Sequence, residues 1–215
     1  MPPHHSAPLV QTATVVLIHG LYLHGLSMGL LARRLRQVGY RTALFSYPSL
    51  RYSVPASAQK LAEYTTPLHA SVLHFVAHSL GGLVVRALLD SGVELPPGRV
   101  VTLGTPHQGS HVARVMAGTR LKAVLGHSID QGLLETGAAW PAGRELGSLA
   151  GTLNVGLGRI FSVPPPADGA VAVAETRAPG MTDHVCLPVS HTGLLFAARV
   201  AEQVCYFLES GRFRH

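Results

Sequence analysis

From Val72 the chain runs through a short apolar, β-branched stretch straight into His78-Ser79-Leu80-Gly81-Gly82. It then continues as a second apolar stretch with helical character, to Leu89. This segment constrains the fold more than any other, because it demands a buried strand, a turn of very small radius and a helix with nothing between them. The same rhythm recurs along the chain. Thr14–Ile18 is a continuous apolar run closed by His19-Gly20, the pattern of a strand buried on both faces. Leu26, Leu30, Leu31, Leu35 and Val38 then repeat at helical spacing until Gly39. Further strands are expected at Arg41–Tyr47, Val72–Ala77, Val100–Leu103, Arg159–Val163 and Val185–Leu187, with helices over 55–70, Leu80–Leu89 and Thr192–Leu208. Strands alternating with helices imply an α/β fold: about six mostly parallel strands with helices on both faces. In such a sheet, ligands gather beyond the carboxyl ends of the strands, so chemistry is sought in the residues that follow each one.

The composition fits one such domain. A chain of 215 residues with 47% hydrophobic content can bury about 70% of its unfolded surface. Residues 1–12 are polar and proline-bearing and read as a loose arm, and 107–157 reads as a short helical cap. The formal charge of +6 does not imply a nucleic-acid partner. Lys60 and Lys122 are the only lysines, the arginines are scattered apart from Arg33, Arg34 and Arg36, and no basic run alternates with aromatics. Cys186 and Cys205 do not form a disulfide framework and are expected as buried free thiols. The start lacks a basic region followed by an apolar one, and the most apolar stretch is interrupted by His74, His78 and Arg86. Neither a signal peptide nor a transmembrane segment is therefore expected, which points to a cytoplasmic protein.

The turn at Ser79 carries specific chemistry. A strand–turn–helix this tight requires small residues two before and two after its apex, and Ala77 and Gly81 meet that requirement. Such an elbow lifts the Ser79 hydroxyl clear of the backbone and aims the positive end of the following helix at a developing anion. The bland alternative is a serine that merely caps the helix. An oxyanion needs two backbone N–H donors; Leu80, directly after Ser79, supplies one. Leu21, directly after His19-Gly20, is placed to supply the other, and Gly20 leaves room for a substrate carbonyl. His19, Gly20 and His78 are accordingly expected to line the substrate site, with His19 read as a structural histidine hydrogen-bonded beneath the loop in preference to a catalytic one.

The segments VVLIHGLYLHG, FVAHSLGGLVVRALL and VVTLGTPHQGS, in that order, resemble the bacterial lipase and esterase branch of the α/β-hydrolase superfamily, near its compact lipase-like and PGAP1-like members. The resemblance continues through DGAV and SHTGLL. It implies a Ser–acid–His order along the chain. Ser79 is then the nucleophile, His191 in SHTGLL the general base, and Asp168 in the Asp168-Gly169-Ala170-Val171 loop the orienting acid, with Asp183 and Glu175 in reserve or bracing the acid's loop. The implied activity is hydrolysis of carboxylic esters of short-to-medium acyl or lipid-like substrates through an acyl-enzyme, without metal or organic cofactor. Acyl transfer and thioester cleavage use the same three residues, and a non-catalytic binding protein on the same scaffold is the reading from outside enzymology. The chain differs from larger members in lacking extra N-terminal antiparallel strands and in having only a short, glycine-rich segment as a minimal lid.

Overall fold

The computed structural model describes residues 13–117, 119, 127, 133–134, 139–155 and 162–215. Six strands, β1 (Ala13–Ile18), β2 (Arg41–Phe45), β3 (Val72–His78), β4 (Val100–Leu103), β5 (Leu146–Gly151) and β6 (Asp183–Leu187), form one sheet in the order β2-β1-β3-β4-β5-β6. Every pairing is parallel. Five helices of the described residues, α1 (Gly29–Gln37), α2 (Val54–Thr65), α3 (Leu80–Asp90), α4 (His111–Ala117) and α5 (Ala198–Ser210), cover its two faces.

Alternation along each strand explains why the strands read as unbroken apolar runs. In β1, Val16 and Ile18 pack in the layer of α2, α3 and α4, whereas Ala13, Val15 and Leu17 pack in the layer of α1 and α5. In β3, Leu73, Phe75 and Ala77 face the first layer and Val76 the second. Both faces are buried, so no regular polar alternation marks the period, and the few polar residues, Thr14, His74 and His78, are themselves buried.

The fifth strand corrects the sequence reading. Among the described residues it is Leu146–Gly151, inside the stretch assigned to the cap. Residues 159–161 lie outside the described residues, and Ser162 and Val163 are not in a strand. LGSLAG carries few of the β-branched residues that signal a strand. Its place is dictated by packing: a Cβ on Gly147 would lie 2.6 Å from the Phe207 ring of α5, so the aromatic occupies the space a side chain would fill. Trp140, Leu133 and Met116, from the supposed cap, are buried in the α2–α4 layer, while Val115 and Leu134 stay exposed. The N-terminal arm, 1–12, lies outside the described residues. The last helix is divided into a short 3-10 turn, Gly193–Leu195, and α5. Cys186 and Cys205 are unpaired, but Cys186 is exposed on the edge strand rather than buried. No helix among the described residues is long and apolar enough to cross a membrane.

Several histidines are folded into this core. His74 and His107 are buried, and burial, aided by nearby arginines, pushes their pKa down to about 4 and about 3 respectively. Each is neutral in the fold but protonates near 6.5 when unfolded. Between pH 6.5 and the folded value the unfolded chain binds the extra proton, so stability falls as the pH falls through that window. The expected slope is about 1.4 kcal/mol per pH unit for each histidine. Urea midpoints measured from pH 7 to pH 5, above the range of ordinary carboxylates, should decline; a flat profile would show that these rings do not govern acid stability.

Candidate active site

Strand order creates the crevice. From β1 the chain passes through α1 on one face to the edge strand β2; from there α2, on the other face, returns it to β3 on the far side of β1. The loops leaving β1 and β3 therefore part to opposite faces, and the space between them is the topological switch point of the sheet. His19-Gly20-Leu21 leaves β1 there, and Ser79-Leu80 leaves β3.

Ser79 has φ 53° and ψ −124°, a backbone conformation that costs a non-glycine residue on the order of 1–3 kcal/mol. The surroundings hold it. Its N–H donates to Leu103 O at 2.9 Å, and its carbonyl accepts from Gly82 N at 3.0 Å and from the Thr105 hydroxyl at 2.8 Å. The turn also needs glycine two residues on, since a Cβ on Gly81 would lie 2.6 Å from the His19 carbonyl oxygen. The Ser79 side chain makes no capping bond to α3, which removes the helix-cap role. The N–H of Leu80, in the first turn of α3, has no intrahelical acceptor. Gly20 lies directly against this turn, 2.9 Å separating its would-be Cβ from that of Ser79.

The structure takes His19 and His78 out of the substrate-contacting set. His19 is wholly buried; its Nε2 accepts from Tyr47 N at 3.2 Å, so Nδ1 carries the proton and donates to Gly20 O at 2.8 Å. Tyr47 Oη also donates to the His19 carbonyl at 3.1 Å. The ring thus braces the loop that presents Leu21, with no nitrogen left for a ligand, and burial lowers its pKa. His78 is 3% exposed, and its Nε2 donates to the His191 carbonyl at 3.0 Å. Burial first, and then the nearby His191, keep it neutral.

Asp168 and His191 meet. The His191 Nδ1–H donates to Asp168 Oδ2 at 2.7 Å, and the His191 backbone N–H to the Asp168 carbonyl at 2.8 Å. The second carboxylate oxygen accepts from Ala170 N at 2.9 Å and Val171 N at 2.8 Å. The Asp168 side chain is 1% exposed and that of His191 18%, so the pair is dry on the acid side and open on the base side. Ser79 Oγ and His191 Nε2 make no hydrogen bond to any described residue, so both stay unclaimed. Glu175 and Asp183 take other roles. Glu175 accepts from His111 N at the start of α4, from Arg114 and, at 2.9 Å, from Ala172 N, bracing the acid's loop. Asp183 holds the C-terminal tail through Phe213 N at 2.8 Å.

Two residues given no role by the sequence reading complete the frame, Thr105 and Gly104. Gly104 has φ +62°, and a Cβ there would lie 3.0 Å from both Asp168 Oδ2 and His191 Nδ1. Its signal is the Gly-Thr-Pro that ends β4, which gains meaning only once β4 is known to lie between the elbow and β5. Beside the site, a cavity of about 610 Å³ is lined by Tyr22, Leu23, His24 and the 46–51 loop after β2. That volume is within the usual range for small-ligand pockets.

No family model and no curated protein matches the chain. Solved structures do. The mature form of Bacillus licheniformis lipase BlEst2 is 20% identical, with a TM-score of 0.74 over 94% of this chain and 93% of that one. In its propeptide form the TM-score is 0.78 over 95% of this chain, which spans only 52% of that longer protein. A metagenomic carboxyl esterase is 18% identical, with a TM-score of 0.64 over 87% of this chain and 68% of that one. The doubly wound parallel sheet and these neighbours define an α/β-hydrolase fold.

Gly104→Ala should break the site selectively. A left-handed alanine costs about 1–2 kcal/mol, and its methyl would press on the Asp168–His191 bond. Expected are a lower urea midpoint and a lost or shifted low-field proton resonance from His191 Nδ1–H. An unchanged midpoint and resonance would count against this account of Gly104.

Proposed function

We propose that the protein is a serine hydrolase that cleaves carboxylic esters through an acyl-enzyme. The observation that carries the reading is a His191 whose Nδ1–H is committed to a buried carboxylate 2.7 Å away and whose main-chain carbonyl is bonded at 3.0 Å by His78, the residue before the strained Ser79. The bond to the carboxylate leaves Nε2 as the free, basic nitrogen. His191 removes the Ser79 proton as Oγ attacks the ester carbonyl. The N–H groups of Leu21 and Leu80 bind the oxyanion. His191 then protonates the leaving alcohol and afterwards activates water for deacylation, while Asp168 stabilises the imidazolium. The structural neighbours include a lipase and a carboxyl esterase, and a Sphingobium faniae pyrethroid hydrolase is 14% identical with a TM-score of 0.60 over 92% of this chain and 98% of that one. Those activities support ester cleavage as the common chemistry.

The substrate is a small ester. The cleft that follows Leu21 is lined by Leu23, Pro48 and Leu50 together with polar side chains such as Ser46 and Ser49. Each CH₂ buried there contributes about 0.8 kcal/mol, so kcat/KM should rise with acyl length to a maximum in the range of about C4 to C10. A maximum at C16, or a jump in rate when an oil–water interface forms, would show a lidded lipase instead.

The nucleophile is tested with a fluorophosphonate probe. One adduct is expected, on the Ser79 peptide, and none in Ser79→Ala; labelling that survives that substitution defeats the assignment. Asp168→Asn should lower kcat by on the order of 10⁴, by analogy with other triads, while leaving the fold intact. If Asp168→Asn is nearly silent and Asp183→Asn is not, the acid has been misassigned.

A further inference from the structure

The residue before the nucleophile points away from the substrate and toward the base. His78 ends β3, is 3% exposed, and its ring centroid lies 4.6 Å from that of His191. Its Nε2 lies 3.0 Å from the His191 carbonyl oxygen. A carbonyl only accepts, so the proton of the neutral ring is on Nε2. Nδ1 is then a bare acceptor, buried, with no partner among the described residues; it faces Gly20, where a Cβ would come within 2.9 Å. An unpaired buried acceptor costs stability. Packing alone would therefore favour an apolar ring here. What the imidazole adds over such a ring is one N–H donor aimed at His191.

That donor completes the fixation of His191. Its backbone N–H and its Nδ1–H are both held by Asp168. Those two bonds set the ring relative to the acid but not relative to Ser79. The third bond, to the His191 carbonyl, comes from the residue adjoining Ser79 on the same strand end. We infer that His78 is a positioning residue that ties the base to the nucleophile by hydrogen-bonding the His191 main chain, setting the Ser79 Oγ to His191 Nε2 approach. The inference rests on the proposed roles of Ser79 and His191. Its consequence follows from the sensitivity of proton transfer to geometry, where a misplacement of about 1 Å can cost about 100-fold in rate.

Three variants test it. His78→Gln keeps an N–H near the position of Nε2, His78→Asn reaches only as far as Nδ1, and His78→Phe keeps a ring without a donor. Expected for Phe and Asn is a fall in kcat of about 10- to 100-fold, with KM changed less than about 2-fold, and a Gln variant close to wild type. The low-field proton of the His191–Asp168 bond should persist in the Phe variant, because the acid–base pair is not what His78 holds. If the Phe variant does not fold, the ratio of Gln to Asn kcat decides, and equal values overturn the inference. Equal kcat in wild type and Phe overturns it as well, as does a loss confined to KM or the disappearance of the low-field proton. The parent reading fails separately: wild-type protein that neither hydrolyses an aryl ester nor takes the fluorophosphonate label refutes the serine-hydrolase assignment itself, whatever His78 does.

Discussion

The left-handed backbone at Ser79 is the constraint around which the carboxyl end of the sheet is organised. A serine does not adopt φ 53° without compensation, and the compensation comes from three neighbouring elements. β4 supplies Leu103 O to the Ser79 N–H, the residue after Gly104 supplies a hydroxyl to the Ser79 carbonyl, and the end of β1 approaches so closely that position 81 must lack a side chain. None of these contacts would form if β1, β3 and β4 were not adjacent. The strand order and the strained turn therefore require one another, and the stability of the central sheet sustains a local conformation that the serine would not keep by itself.

The same logic extends to the acid and base. Asp168 and His191 come from loops after β5 and β6, far from Ser79 in sequence, yet both are seated over Gly104 at the end of β4. Main-chain groups take part in holding both: the Asp168 carboxylate accepts from Ala170 N and Val171 N of its own loop, and the His191 main chain donates to the Asp168 carbonyl and accepts from the His78 ring. Main-chain anchoring costs little side-chain entropy, and it makes the geometry depend on loop conformation more than on any single side-chain contact. Glu175 shows how far this reaches, since its one buried carboxylate joins the start of α4 to the loop of Asp168.

What the sequence disclosed follows from these physical causes. Strands β1, β3 and β4 were legible because burial on both faces makes them continuous apolar runs. The elbow was legible because the small-residue frame around Ser79 is a local steric demand. β5 was not, because Gly147 serves the Phe207 ring, a contact between residues far apart in the chain, and the strand it belongs to carries little β propensity of its own. The small residues of LGSLAG therefore looked like part of a cap. His19 was legible as a histidine bonded beneath its loop, but its partners were not, and His78 was legible as a special residue but not as to role. A histidine beside a nucleophile suggests substrate contact; only the structure shows one ring bonded back to Tyr47 and Gly20 and the other to the His191 main chain. Sequence spacing fixes which residues share a loop and leaves open which way their rings turn.

The turned-in rings have an electrostatic consequence for the proposed reaction. In its course His191 must become an imidazolium with another imidazole 4.6 Å away. A charged neighbour at that distance would oppose the proton transfer that the base exists to accept. Burial prevents this, because it drives the His78 pKa well below its ordinary value, and it does the same more mildly for His19. Burial therefore biases both rings toward the neutral form. His191 differs from them in being partly exposed and in having its Nδ1–H paired with a carboxylate that can balance the imidazolium the proposed reaction forms. Three histidines near these strand ends are thus separated in proposed function by burial and by partner: two are confined to hydrogen bonding, and the third is the one paired with Asp168.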